Sequence, residues 1–81
     1  MRYQRLYAGN LFWFDDHKDL IARVARTSTE PVRSLAQNVI DTFEVIRDVS
    51  ITRQPNQAEV TAFCEAVACY RDACIYQRKR V

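Results

Sequence analysis

The feature that most constrains this chain is the apolar periodicity of residues 56–81. Apolar residues recur there at steps of three and four, which is the pattern of a long helix with an apolar face. One row consists of Val60, Phe63, Val67, Tyr70, Cys74 and Val81. A second row consists mostly of small side chains: Ala62, Ala66, Cys69, Ala73 and Tyr76. A helix with two apolar rows is expected to have neighbours on two sides.

A second helix is predicted over about residues 30–49. Its apolar stripe is broad and comprises Val32, Leu35, Ala36, Val39, Ile40, Phe43 and Ile46. Ser28 or Thr29 can cap its N terminus, and Pro31 suits a first helical turn, where a missing N–H costs nothing.

The last two helices are predicted to form an antiparallel hairpin. Residues 50–55 break the periodicity between them, and Asn56 and Glu59 have the spacing of a capping box. A connection this short joins adjacent antiparallel helices. The predicted hairpin therefore pairs residues 30–49 with residues 56–80.

A short helix is predicted at about residues 15–27, upstream of the hairpin. Asp15 or Asp16 can cap it, and it should end near Thr27. Its apolar face consists of Leu20, Ile21, Val24 and Ala25.

Residues 1–14 are predicted to form an aromatic arm across the bundle, because Gly9 and Asn10 suggest a bend. A short helix over residues 2–8 is the alternative. One glycine and two prolines leave little material for turns. The expected fold is therefore a single all-α domain, a small helical bundle with a basic tail at residues 78–81.

The lengths of the helices predict a second chain. The last helix should measure roughly 39 Å, the middle one about 30 Å and the first about 18 Å. One row of the last helix is then left uncovered, and a second copy of the chain is the simplest cover. We expect a homodimer with an interface formed by Ala62, Ala66, Cys69 and Ala73.

The composition restricts the class of protein. A net charge of +2 excludes an acidic DNA mimic and does not by itself indicate a nucleic-acid binder. No run approaches the roughly 18 apolar residues of a membrane span, and the N terminus lacks the layout of a signal peptide. We expect a cytoplasmic protein that makes no contact with membranes.

Catalytic parts are not evident in the sequence. It has one histidine, His17, and neither a serine-nucleophile motif nor a glycine-rich phosphate loop. Cys64, Cys69 and Cys74 are five residues apart and cannot share one helix face, so they are expected to be small buried apolar residues. His17 should be a solvated surface residue. We expect no enzymatic activity, no metal and no cofactor.

One stretch, Leu35 to Arg47, is similar to a helix-turn-helix, with Thr42 and Ile46 at the expected offsets. Ile40 stands where that turn often has glycine, and the uninterrupted periodicity favours one straight helix. A dimeric DNA-binding regulator that uses Arg47, Arg53 and the basic tail is the alternative function.

The leading hypothesis is a protein-binding module. Trp13 lies among three consecutive aromatic residues, which cannot all point into a thin core, so it either anchors a partner or covers the bundle. We expect an inhibitor or regulator, of the kind that phages encode, that occupies the surface of an acidic partner protein. The predicted partner-binding residues are Phe12, Trp13, Phe14, Tyr70, Tyr76, Arg78, Lys79 and Arg80.

Overall fold

Three helices make up the described part of the chain. The computed structural model describes the backbone of residues 2–80 and the side chains of residues 6–74. The helices are α1 (Arg2–Thr27), α2 (Val32–Val49) and α3 (Gln57–Arg80). They pack against one another in an up-down-up bundle, so that α2 and α3 form an antiparallel hairpin and α1 runs parallel to α3. The prediction of a small all-α bundle is confirmed.

The core is built around three phenylalanines, one from each helix. The rings of Phe14 and Phe43 stack with centroids 4.3 Å apart. Phe63 meets them at 6.2 and 6.1 Å respectively and has no exposed surface. The other buried apolar residues are Ile21, Val32, Ala36, Val39, Ile46, Cys64, Ala66, Val67 and Tyr70. The apolar stripe predicted for α2 and the first row predicted for α3 therefore supply most of the core.

The predicted arm at residues 1–14 and short helix at residues 15–27 are wrong. They belong to one helix of 26 residues, in which Asp15 and Asp16 lie near the middle and cap nothing. Tyr7, Leu11 and Phe14 are spaced by four and three, so a continuous helix brings all three onto the core. Burial of that face outweighs the low helix propensity of Gly9 and Asn10.

The length of α1 changes the argument for a second chain. At 1.5 Å per residue α1 measures about 39 Å and α3 about 36 Å, so α1 can lie along the whole of α3. Tyr7 lies against Phe63 and Trp13 against Tyr70, which fixes this parallel alignment. α1 therefore gives α3 a second neighbour within the same chain, but Ala62 and Cys69 of the second row remain exposed, and the homodimer through that row stays a prediction.

The start of α2 differs from the prediction in its capping residue. The helix begins at Val32, and Pro31 occupies the N-cap position without a side-chain hydrogen bond. The backbone N–H of Ser34 donates instead to the Glu30 carboxylate at 2.9 Å, and the Ser34 hydroxyl donates to the same group. These hydrogen bonds hold the pKa of Glu30 below its ordinary value. Glu30 thus takes the capping role predicted for Ser28 or Thr29.

The predicted capping box at the start of α3 is confirmed. The backbone N–H of Glu59 donates to Asn56 Oδ1 at 2.8 Å, and the N–H of Asn56 donates to Glu59 Oε1 at 2.9 Å. The Arg53 guanidinium donates a bidentate pair of hydrogen bonds to the Glu59 carboxylate, at 2.9 and 3.0 Å. The hydrogen bonds from Arg53 first, and then from Asn56, lower the pKa of Glu59 to about 2.

The single straight helix that the periodicity favoured over a helix-turn-helix at Leu35 to Arg47 is confirmed. α2 continues as a single helix from Val32 to Val49, with no turn near Ile40. The side chains that periodicity placed inward, among them Val39 and Ile46, are buried.

Candidate functional site

The three consecutive aromatic residues of α1 point in three directions. Phe14 is buried in the core and is only 6% exposed. Trp13 is half-buried at the seam between α1 and α3, and Phe12 is 74% exposed. Because successive helical residues are rotated by about 100°, only one of the three can face the core. Phe14 is therefore removed from the predicted partner-binding set, and Phe12 remains.

Trp13 is held in place by neighbours from its own chain. Its ring stacks on His17 at 4.9 Å and lies 6.0 Å from the ring of Tyr70. The guanidinium carbon of Arg71 lies 5.2 Å from the Trp13 centroid, within cation–π range. Through these contacts Trp13 covers the boundary between α1 and α3. Covering the bundle was the second of its two predicted roles.

His17 is half-buried, whereas a solvated residue was predicted. Its Nδ1 lies 2.7 Å from the backbone carbonyl oxygen of Trp13. Since a carbonyl can only accept, Nδ1 is the nitrogen that carries the proton in this contact.

Tyr70 belongs to the interior and is only 4% exposed. Burial, and then a hydrogen bond with Cys74, raise its pKa to about 12. Tyr70 is therefore also removed from the predicted surface. The remaining predicted contacts, Tyr76 and the basic residues Arg78, Lys79 and Arg80, have side chains outside the described residues.

The row of small residues on α3 is divided between the core and the surface. Ala66 is buried, and Ala73 packs against the core. Ala62 and Cys69 are exposed, and Ala62 lines a shallow groove of about 230 Å³ between α2 and α3. The predicted dimer interface thus loses Ala66, because α2 already covers that side of α3.

The three cysteines occupy three environments and are all free. Cys64 is buried, Cys74 is half-buried and Cys69 is exposed. The prediction that all three are buried is wrong for Cys69, since steps of five residues carry it around the helix to the open side.

The outer face of α1 carries an unusual stripe. Phe12 is followed at steps of four, three, four and three by Asp16, Asp19, Arg23 and Arg26. All five side chains are exposed on the face turned away from the core. We call these five residues the α1 stripe. Its spacing is visible in the sequence, but it can be recognised only once residues 2–27 are taken as one helix.

The groove between α1 and α2 is larger than the groove that Ala62 lines. It encloses about 560 Å³ above the stacked rings of Phe14 and Phe43. Its rims carry two ion pairs, Lys18 with Asp15 at 3.5 Å and Arg47 with Glu44 at 3.7 Å. Asp19 also lines the groove and belongs to neither pair, so the rim carries one more acid than base.

The arginines proposed to contact DNA have acidic neighbours. Arg47 lies 3.5 Å from Asp48 as well as near Glu44. Arg53 is engaged by Glu59 at the start of α3. Paired in this way, both offer less positive charge to a phosphate backbone than free arginines would.

Among the described residues, no three His, Cys, Asp or Glu side chains are grouped so that they could hold a metal ion. Each helix, as far as the structure describes it, is too polar to cross a lipid bilayer. No protein-family model, curated protein or solved structure matches this chain.

Proposed function

We propose that this chain is a protein-binding module that docks through the outer face of α1, with Phe12 as its anchor. The observation that carries the proposal is the 74% exposure of a phenylalanine in the middle of a 26-residue helix. A large aromatic side chain buried at the centre of an interface contributes more to binding than most of its neighbours.

A single exposed apolar residue is ordinary on a protein surface, so the surroundings of Phe12 matter. Five large apolar side chains of the described residues are well exposed, and three of them, Leu6, Phe12 and Leu20, lie on α1. This concentration on one helix supports α1 as the docking element.

Gly9 adds a second reason to choose α1. It lies three residues from Leu6 and three from Phe12, and a Cβ placed there would meet nothing within 4 Å. A mid-helix glycine costs about 1 kcal/mol relative to alanine, and no contact among the described residues requires it. Its absent side chain lets a partner approach the backbone of α1 closely.

The charges around Phe12 determine the kind of partner. Asp16 and Asp19 follow Phe12 on the same face, so the pocket that receives the ring should have basic groups on its border. This reverses the partner charge that the basic tail alone suggested. The module then acts as an inhibitor or regulator by covering a functional surface of that partner.

The test is site-specific photocrosslinking in the native cell. A photoreactive benzoylphenylalanine replaces Phe12 in one variant and Ile51 in a control variant. Ile51 is the better exposed of the two, at 82%, but lies outside α1. A discrete adduct from position 12 that is absent from position 51 is the expected result. The same adducts from both positions, or none from position 12, would contradict the proposal.

The contribution of Phe12 to binding affinity is measured by replacing it with alanine. F12A should weaken binding of the crosslinked partner by about 2 kcal/mol or more without loss of helix.

Titration of random duplex DNA at low and high salt tests the alternative of a DNA-binding regulator, because micromolar binding that weakens steeply with salt would favour that class.

A further inference from the structure

We infer that the α1 stripe is self-complementary and that its occupant is a second copy of this chain, paired antiparallel through α1. The inference rests on the proposed function in that it uses the same face of α1. Self-pairing covers this face whenever no other partner is bound.

Charge order along the stripe carries the argument. Its N-terminal half bears two acids, Asp16 and Asp19, and its C-terminal half bears two bases, Arg23 and Arg26. In an antiparallel pair with two-fold symmetry, Asp16 faces Arg26 of the second copy and Asp19 faces Arg23 of the second copy. The symmetry repeats both contacts, giving four ion pairs. A parallel pair would place like charges opposite each other.

The four charged side chains are available for this role. All are exposed, and the ion pairs found among the described side chains involve none of them. Asp19 and Arg23 have a spacing that could form a pair within one helix, yet they remain apart. Their charges are therefore free to meet a second chain.

The same register places Phe12 opposite residue 30 of the second copy, next to Pro31. Phe12 then lies beyond the C-terminal end of α1 of the second copy, beside the connection between α1 and α2 at residues 28–31. Pro31 is exposed in that connection and can pack against the Phe12 ring. An apolar contact at each end would then flank the charged centre of the interface.

The interface is small, and exposed ion pairs contribute little individually. We expect a dimer that forms at about 100 µM and dissociates as salt screens the charges. In sedimentation equilibrium in about 20 mM salt, the average mass of the wild-type chain should rise from 9.5 kDa toward twice that value as the concentration increases past about 100 µM. At about 500 mM salt its dissociation constant should rise by about tenfold or more.

Two variants with identical composition and net charge test the register. The exchange D16R/R26D keeps opposite charges facing in the antiparallel pair and should keep the dimer. The exchange D16R/R23D places Arg against Arg and Asp against Asp, and should weaken the dimer by about tenfold or more. All three positions are exposed, so circular dichroism should show unchanged helix in both.

A wild-type chain that stays monomeric at low salt up to about 200 µM overturns the inference. Equal dimerisation of both exchange variants also overturns it, because the interface must then lie elsewhere, and so does equal loss in both. None of these results affects the proposed function, which fails only if position 12 yields no specific adduct with another protein. The salt dependence of the wild type gives a test that needs no variant.

Discussion

Gly9 is the one glycine of the chain and lies in the interior of α1. Because a Cβ there would meet nothing within 4 Å, G9A should stabilise the protein by about 1 kcal/mol through higher helix propensity and lower entropy of the unfolded chain. Urea unfolding measures the change. Ala8 is the matched neighbour, also exposed and helical, and A8G should destabilise by a similar amount. A destabilised G9A variant would mean that the helix is interrupted at this position.

Glu59 makes stability depend on pH in a defined direction. The folded state lowers its pKa from 4.5 to about 2, chiefly through Arg53, so folding favours the carboxylate. This contribution is complete above about pH 4.5 and is lost as the pH falls toward 2. The difference in unfolding free energy between wild type and E59Q should therefore shrink between pH 5 and pH 2. E65Q, at an exposed position on the same helix, should show no such trend.

Substitution of Asn56, the other residue of the capping box, measures how much the box contributes to the free energy of unfolding. N56A removes the acceptor for the Glu59 N–H and should cost about 1 kcal/mol at neutral pH, as measured by urea unfolding. Q57A lies next in the chain, and Gln57 contributes no side-chain acceptor to the box, so it is the control. Equal stability of N56A and wild type would contradict the role given to Asn56.

The orientation of the three aromatic residues shows where prediction from sequence stops. Three aromatic residues in succession exclude a common direction but do not say which of them faces inward. That choice depends on the register of the helix, and the spacing of Phe14 from Tyr7 and Ile21 decides it only if α1 is continuous. Once it is, Phe14 lies inside, Trp13 at the seam and Phe12 outside.

At the scale of the helices, Phe63 on α3 joins all three. It has no exposed surface and meets Phe14, Phe43 and Tyr7. F63A should cost about 3–5 kcal/mol, a large part of the roughly 5–15 kcal/mol available to a domain. Urea unfolding followed by circular dichroism measures it. F12A removes the same group from an exposed site and should change stability by less than about 0.5 kcal/mol. Similar losses in the two variants would show that Phe12 is not on the surface.

The hairpin could be predicted from sequence because its signals are local. Asn56 and Glu59 define the start of α3 through bonds three residues apart, and the apolar stripe of α2 is uninterrupted. The N-terminal half of α1 could not, because Gly9 and Asn10 resemble a bend when considered alone. Contacts with residues more than 50 positions away, such as Tyr7 with Phe63, decide in favour of the helix.

At the scale of the whole molecule, the full length of α1 changes which faces of the bundle are exposed. The second row of α3 was predicted to stay open, and two of its residues, Ala62 and Cys69, are exposed. The 26-residue α1 adds a further exposed face, the α1 stripe, with Phe12 at its N-terminal end. The aromatic segment that carries Phe12 was among the residues predicted from the sequence, whereas the charged residues that continue its row were not, because they share a face with Phe12 only when one helix runs through residue 12.

The single tryptophan allows a test of whether the bundle unfolds as one unit. Trp13 lies on α1 and contacts Tyr70 and Arg71 of α3, so its fluorescence reports on the seam between these helices. Phe14 ties the same segment of α1 into the core shared with α2 and α3, and α1 therefore cannot separate without opening that core. We expect the urea transitions followed by Trp13 fluorescence and by helical circular dichroism to coincide. In R71A, which removes the cation over the ring, the fluorescence amplitude should change while the two transitions still coincide. A fluorescence transition at lower urea than the loss of helix would instead show that α1 leaves a stable hairpin behind.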